Sequence, residues 1–587
     1  MTDQNPPALL LGPMLRHVDT TSATVWVETT RNATVEVRSH GRTGSTSTFS
    51  VDGHHFALVL LDGLEPATEA TYDVAIDGEI VWPVADDPRP KPVIRTMPDH
   101  GQTPTHDLDI VFGSCRVDRP HESPWNLAPE EHSDGVGVDA LSALSDDCQA
   151  RRRRLPDLLL MLGDQVYADE GLSPLVRERQ IERRGEDAEP TDEVLDFEEY
   201  TWLYRDSWSD PDVRWLLSTV PTAMVFDDHD VRDDWNTSET WREEVRKLPW
   251  WHERIVGAYM SYWVYQHLGN LSPDVLAHDG LLAKIVAAGD GGAILRAFAE
   301  RAADDVDDQH ESLWSYVRAL GRARLVVIDT RSGRILHHGQ RSMLGEGEWQ
   351  AVEGWLRGDV EHLLVASSLP LILDHLLHDV EQWNEALAGG SWGPRMAKLG
   401  EKLRQGADLE HWAAFPESFT RLVLRLGEVA DGRHGAAPST VLVLSGDVHH
   451  SYVAPVTFPG VAGAGTGASG AGASGATTTR SPVVQVTSSP MRNAFPRSVQ
   501  RAFRMAHTGP ARRFGALLRR SVRLGPPAVD WSLTTGPLYG NGVGSLRISG
   551  DTMLVRLERA EMYGDEGTLL VRHEEQICGH PGTRTAG

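Results

Sequence analysis

Seven side chains follow apolar runs and are of the types that bind metal ions or move protons: Cys115, Asp164, Tyr167, Asp228, His229, Asp447 and His449. Carboxylate oxygens suit Mg, Ca or Mn, whereas a thiolate and a phenolate on one site suit a more Lewis-acidic ion such as ferric iron. The simplest arrangement is two or more metals, with Asp164 bridging them through its two oxygens. Metals paired in this way stand roughly 3.5–4 Å apart and lower the pKa of a bound water, so that hydroxide is available near neutral pH. His229 is then a candidate to donate a hydrogen bond or a proton, with Asp230 fixing its orientation. Arg116, next to the thiol, and Arg331, after LVVIDT, match oxyanions bidentately. Both read equally well as ion-pair partners of the many acids.

Such groups act only if something rigid delivers them to one place. From residue 107 the chain repeats short apolar runs, each closed by polar residues: LDIVFGSC, LLLMLGD, TAMVFDDHD, LVVIDTR, HLLVASS, TVLVLSGDVHH and VVQVTSSP. Runs of this length read as buried strands, and open α/β sheets bind ligands at the C-terminal edge of their strands. Packing requires the apolar residues but not the acids, thiol and imidazoles after them. Charge-rich or Trp-rich stretches between the runs, 172–218 and 235–270, read as helical insertions, with the tryptophans in the core. VAGAGTGASGAGASGATTT is a low-complexity Gly/Ala-rich loop at 461–479 without a phosphate-cradling GKS or GKT.

Upstream, alternating apolar and polar residues over 8–98 predict an all-β module. Leu64-Glu65-Pro66 followed by Tyr72 resembles the corner of fibronectin type III sandwiches, where a Tyr hydroxyl closes onto upstream backbone. The Pro-rich segment 86–104 reads as an extended linker. This divides the chain into a sandwich with linker at 1–100, a large α/β domain at 101–560 and a C-terminal extension at 561–587 with an unstructured end.

Composition narrows the possible roles. With 587 residues the chain exceeds one core, and its net charge of -28 argues against a general nucleic-acid binder. Its three widely spaced cysteines do not form a disulfide framework, and the N-terminus has neither a signal peptide nor a twin-Arg pair, so the expected address is the cytoplasm. No window reaches the ~18 apolar residues of a membrane span. Residues 491–524 reverse the overall charge, with nine Arg and no acid. That segment suits docking on an anionic surface or on the protein's own acidic surface.

GSC at 113–115, GDQVY at 163–167, DDHD at 227–230 and SGDVHH at 445–450, in that order behind a small β-sandwich, resemble the alkaline phosphatase D family of calcineurin-like metallophosphoesterases. The resemblance spans about residues 8–555. It implies a four-layer αββα sandwich, with a fibronectin type III-like domain in front. The activity it implies is a phosphomonoesterase or phosphodiesterase acting on a phosphate-ester substrate through a metal-activated hydroxide. The implied cofactors are Fe3+ and Ca2+, other divalent metals being possible at the second position. Cys115, Asp164, Tyr167 and His449 would surround the iron. Asp164, Asp447 and an acid near 228–233, Asp228 or Asp233, would hold the second metal. Asp228, Asp233, Asp234 and Asn236 remain alternatives there, because Val231-Arg232-Asp233-Asp234-Trp235-Asn236 departs from the paired Asn of the family. Asp230 stands where Glu is usual. Two other readings use the same residues: a non-catalytic binding protein on this scaffold, and a metal hydrolase of a non-phosphate bond.

Overall fold

In a computed structural model the protein is described for residues 8–99, 107–304, 314–337, 339–459, 479–564 and 566–579. The chain folds as mixed α/β, with several sheets and 15 α-helices among the described residues. All seven apolar runs are strands. Leu108–Gly113, Leu158–Leu162 and Thr222–Val225 lie parallel in a six-stranded sheet. Ala323–Ile328, His362–Ser367, Thr440–Ser445 and Val483–Thr487 lie parallel in an eight-stranded one. Every residue of Leu158–Leu162, His362–Ser367 and Thr440–Ser445 is buried, so both faces of these strands are covered.

The two sheets share one core. Phe112, Leu160 and Met224 of the first pack in the same cluster as Leu364, Leu442 and Val486 of the second. Alternate residues of the second sheet, Val326, Val365 and Val443, point the other way into a separate cluster with Trp349, Phe419 and Leu426 of the helices Glu346–Trp355 and Pro416–Ala430. This period-two division is what a strand buried on both faces requires. The parallel register aligns the strand ends, so both sheets deliver their polar tips to one edge.

The N-terminal module is two sheets, of four and five strands, around its own core of Leu15, Val25, Val59, Val35 and Val74. It is firmly joined to the α/β body: Arg16 is fully buried and donates to the Gln266 carbonyl at 2.5 Å, and Trp26 packs on Tyr265 with ring centroids 5.4 Å apart. Two expectations change here. Tyr72 does not close onto upstream backbone; its hydroxyl donates to the carbonyl of Ser218, in the α/β body, at 2.6 Å. The proximity of helix Pro211–Thr219 offers that acceptor instead. Part of the predicted linker is also a strand, Val93–Arg95, paired with Glu69–Thr71.

The end of the chain differs as well. Thr552–Tyr563 and Glu566–Cys578 form a long hairpin that extends the six-stranded sheet, so the α/β body continues past 560. Apolar residues on one face of that hairpin, such as Val555 and Leu569, are buried and draw it onto the sheet. The Gly/Ala-rich stretch, except Thr479, and residues from 580 onward lie outside the described residues. Among the described residues no helix is long and apolar enough to cross a membrane.

Candidate functional site

Backbone bonds knit the strand tips together. Cys115 N–H donates to Gly163 O at 3.2 Å, Arg116 N–H to Asp164 O at 3.1 Å, and Met491 N–H to Ser114 O at 2.7 Å. Across the sheets, Asp447 N–H donates to Ser114 Oγ at 2.8 Å. Cys115, Asp164, Asp447 and His449 all have φ between 50° and 66°. That left-handed conformation is uncommon outside glycine and marks turns where tertiary contacts override local preference. Gly163, at φ 101°, is needed because a Cβ there would stand 2.5 Å from Asp227 Cβ.

Asp164, Asp227 and Asp228 bring carboxylate oxygens within 4.8 Å of one another, as do Asp228, His229 and Asp233 with their ligand atoms. Asp228 therefore sits where two acidic clusters overlap. Burial holds the Asp164 carboxyl well above the usual range, reinforced by Asp227, Asp228 and Asp230 and opposed by His229. Asp227 is raised likewise by burial, against the pull of Arg331. Cys115 is fully buried, with Sγ 3.5 Å from Asp447 O and 3.4 Å from Ser489 Oγ, and its thiol is pushed up by burial and by Asp164 and Asp447. The Tyr167 ring stacks on His229 with centroids 4.5 Å apart, and its hydroxyl accepts from the Asn493 amide at 3.1 Å. His449 lies tilted against Phe495, and burial lowers its pKa to about 4, so the imidazole is neutral and able to ligate.

Several buried acceptors in this group have no hydrogen-bond partner: Asp164 Oδ1, Asp227 Oδ2 and His449 Nδ1. Buried polar atoms are ordinarily satisfied, and leaving several carboxylate oxygens unpaired at one point is costly unless a cation joins them. Hard oxygens, one thiol, one phenol and a neutral imidazole fit a metal centre.

The geometry selects the ion-pair reading for Arg116 and Arg331 and changes the role of Asp230. Arg116 is buried and points away from the tips, donating through Nε to Asp139 at 2.9 Å and through Nη1 to Ser207 O and Oγ at 3.0 Å. A guanidinium committed to a buried acid is not available to clamp a substrate. Asp230 does not orient His229; its Oδ2 accepts the N–H groups of Asp164 and Asp227, both at 2.9 Å, and its Oδ1 accepts from Gln266. Asp230 thus fixes the two turns, and His229 Nδ1 is held instead by both oxygens of Asp169 at 3.0 Å. Against the effect of burial, Asp169 raises the His229 pKa well above its ordinary value, keeping the ring protonated. Arg331 is likewise embedded among acids, pairing with Asp227, with Asp228 at 3.1 Å and with Glu410 at 2.6 Å.

Of the second-position alternatives, Asp228 and Asp233 join the clusters. Asp234 contributes a backbone N–H to Asp228 Oδ2 at 3.2 Å, and Asn236 donates its amide to Arg331 O at 3.1 Å. Sequence reasoning missed Asp169, Asp227, Glu410, His411 and Asn493. His411 Nε2 lies 2.9 Å from Asp447 Oδ2 and its Nδ1 2.7 Å from Glu381; against burial, His411, with Arg331 and His449, draws the Asp447 carboxyl below its usual range. Asp227 opens the DDHD motif and Asp169 lies two residues past GDQVY, so both were open to notice. Glu410 and His411 follow a helix, with no strand-tip pattern to flag them.

A family model described as PhoD-like phosphatase matches residues 147–469, more than half of the chain. The chain belongs to the PhoD-like phosphatase family. The match includes Asp164, Tyr167, Asp227–Asp230, Asp447 and His449, while Cys115 precedes it. Membership of the PhoD-like phosphatases implies a phosphoesterase, a hydrolase of phosphate esters. A second model, a domain of unknown function (DUF7800), matches residues 6–94, the N-terminal sandwich. Among solved structures, one titled "Structure of PhoD" aligns at 13% identity and TM-score 0.58, covering 99% of this chain and 92% of that one; the likeness is one of fold. A type III pullulan hydrolase from Thermococcus kodakarensis aligns at 10% identity with a TM-score of 0.15, covering 96% of this chain and 98% of that one, and carries no argument. No protein with a curated description matches the chain.

Proposed function

We propose that this PhoD-like phosphatase hydrolyses phosphate mono- or diesters at the strand-tip site, with ferric iron and a divalent ion, calcium first among candidates, as its metals. The convergence of Asp164, Asp227 and Asp228 beside an unpartnered Asp164 Oδ1 carries this reading. Cys115, Asp164, Tyr167 and His449 would hold the iron; Asp164, Asp447 and Asp228, with Asp233 at the rim, would hold its partner. When bound, such metals supply a nucleophilic water at neutral pH and positive charge against the phosphoryl oxygens.

The chain's own residues do the rest. Asp230 and Gly163 fix the two turns that aim Asp164 and Asp228. Arg331 pairs with both Asp227 and Asp228 and offsets their repulsion. His229, fixed through Nδ1 by Asp169, presents a protonated Nε2, only 3.8 Å from Asp233 Oδ1 at the exposed rim, from which the proton passes to the leaving-group oxygen. Arg116 is engaged by Asp139 and Arg331 by Asp227, Asp228 and Glu410, so among these groups His229 is the one left to meet a substrate phosphoryl oxygen. A four-layer αββα body is the arrangement we favour, supported on the eight-stranded sheet by the helices Glu346–Trp355 and Pro416–Ala430 against its far face, with a fibronectin type III-like docking domain in front. The three free thiols suit a reducing compartment such as the cytoplasm.

The test is to purify the protein, measure its metal content and visible absorption, and assay bis-p-nitrophenyl phosphate beside the monoester. A ferric–phenolate band that disappears in Tyr167→Phe, with turnover of either ester, is expected. Absence of turnover with and without added iron and calcium would remove the proposal.

A further inference from the structure

The basic segment 491–524 forms two helices, Arg497–Ala506 and Gly509–Ser521, beside the site. The ring of Phe495, just before them, lies tilted against His449 with centroids 4.5 Å apart, and that of Phe503 against His450 at 5.5 Å. Their inner faces dock on the protein itself. Gly515 lies against Leu376 and Asp379 of helix His375–Ala388, and Arg519 pairs with Asp379 at 3.0 Å.

The outer faces are different in kind. Arg501 and Met505 are one turn apart on the first helix; Arg513, Leu517 and Arg520 share a stripe on the second, with Phe514 beside them. Met505 on the first helix is 71% exposed, and Phe514 and Leu517 on the second 56% and 61%, a concentration of exposed large apolar side chains within one basic segment. Arg501, Arg513 and Arg520 are exposed and form no ion pair among the described residues. A face turned only to water gains nothing from the three apolar side chains.

We propose that this outer face docks on an anionic phospholipid surface, with the arginines meeting headgroups and Met505, Phe514 and Leu517 entering the acyl boundary. Two weak signals, basic and apolar, combine to give stable interfacial binding where either alone is marginal. A soluble polyanion would engage the arginines but leave the apolar residues in water, so the lipid surface accounts for both. The rest of the chain is acidic, since the whole carries -28 even with these nine arginines included; it is repelled by the same surface and orients this face toward it.

The test is sedimentation of the full-length protein with phosphatidylglycerol-containing vesicles and with pure phosphatidylcholine vesicles, at low salt and at ~0.5 M salt, where exposed charges are screened. The wild type should pellet with the anionic vesicles at low salt only. A triple variant Arg501→Gln, Arg513→Gln, Arg520→Gln and a triple variant Met505→Ser, Phe514→Ser, Leu517→Ser should each lose binding by about tenfold or more, with unchanged thermal melting. Failure of the wild type to pellet would overturn the proposal. So would wild-type binding by the apolar triple variant, which would assign the face to soluble polyanions.

Discussion

At the scale of single residues, the site is an arrangement of acids held in place by bases and backbone N–H groups. Asp169 holds His229 through both carboxylate oxygens. Asp169→Asn keeps the shape but removes the charge that favours the imidazolium. Turnover should therefore fall by about 10²-fold with metal content unchanged, measured by steady-state kinetics and metal analysis. Arg116 tests the opposite kind of claim. It is buried against Asp139, with Nη2 2.7 Å from the carboxylate. Arg116→Ala should lower stability by about 3–5 kcal/mol, because an uncompensated buried acid remains. KM should be unchanged in protein that stays folded, which a substrate clamp would not allow. Residue types and spacing singled out Cys115, Asp164, Tyr167 and His449 as candidates in the sequence, and the fold brings their turns together. The partners that fix them were not legible, since the direction of an Arg or Asp side chain depends on which distant acid or N–H it meets. Asp169 holds His229 in place of Asp230 for that reason: Asp230 faces two backbone N–H groups that no local pattern announces.

At the scale of elements, the strands were legible because an apolar run of five or six residues must be buried, and the seven runs became seven strands. Tyr72 was less so. Its position in the strand was evident, but its acceptor lies on a helix 146 residues away. Helices also brace the tips. Glu348, on helix Glu346–Trp355, is buried and accepts from Ser315 N–H at 3.1 Å and from Ser315 Oγ. Burial, together with nearby Asp329, raises its pKa to about 8 from an ordinary 4.5. Between those values the folded protein holds a proton that the unfolded chain has released, so stability is fullest below pH 4.5 and falls as pH rises toward 8. Glu348→Gln should remove that slope. The variant should match the wild type near pH 4.5 and exceed it above pH 8 by up to about 5 kcal/mol, as read from denaturant midpoints across pH.

For the whole molecule, two sheets sharing a core align seven strand ends on one edge, and the N-terminal module is locked to the body by buried contacts such as Arg16 on Gln266. The mixed α/β class and the family were legible in the sequence because four motifs recur in order. The join between module and body and the C-terminal hairpin were not, because they depend on which surfaces meet. A bound metal also contributes to global stability, since it binds the folded site and not the dispersed ligands. Removing metal with a chelator should lower the melting temperature, and metal at 100 times its Kd should restore about 2.7 kcal/mol; a melting curve indifferent to chelation and reloading would count against a metal centre. The central claim, that phosphate esters are cleaved where Asp164 meets Asp227 and Asp228, is tested most directly by turnover of bis-p-nitrophenyl phosphate by metal-reconstituted wild type and Asp164→Asn, both verified as folded. Clear turnover by the wild type and none above background by Asp164→Asn is the predicted result; equal turnover by the two proteins would contradict it.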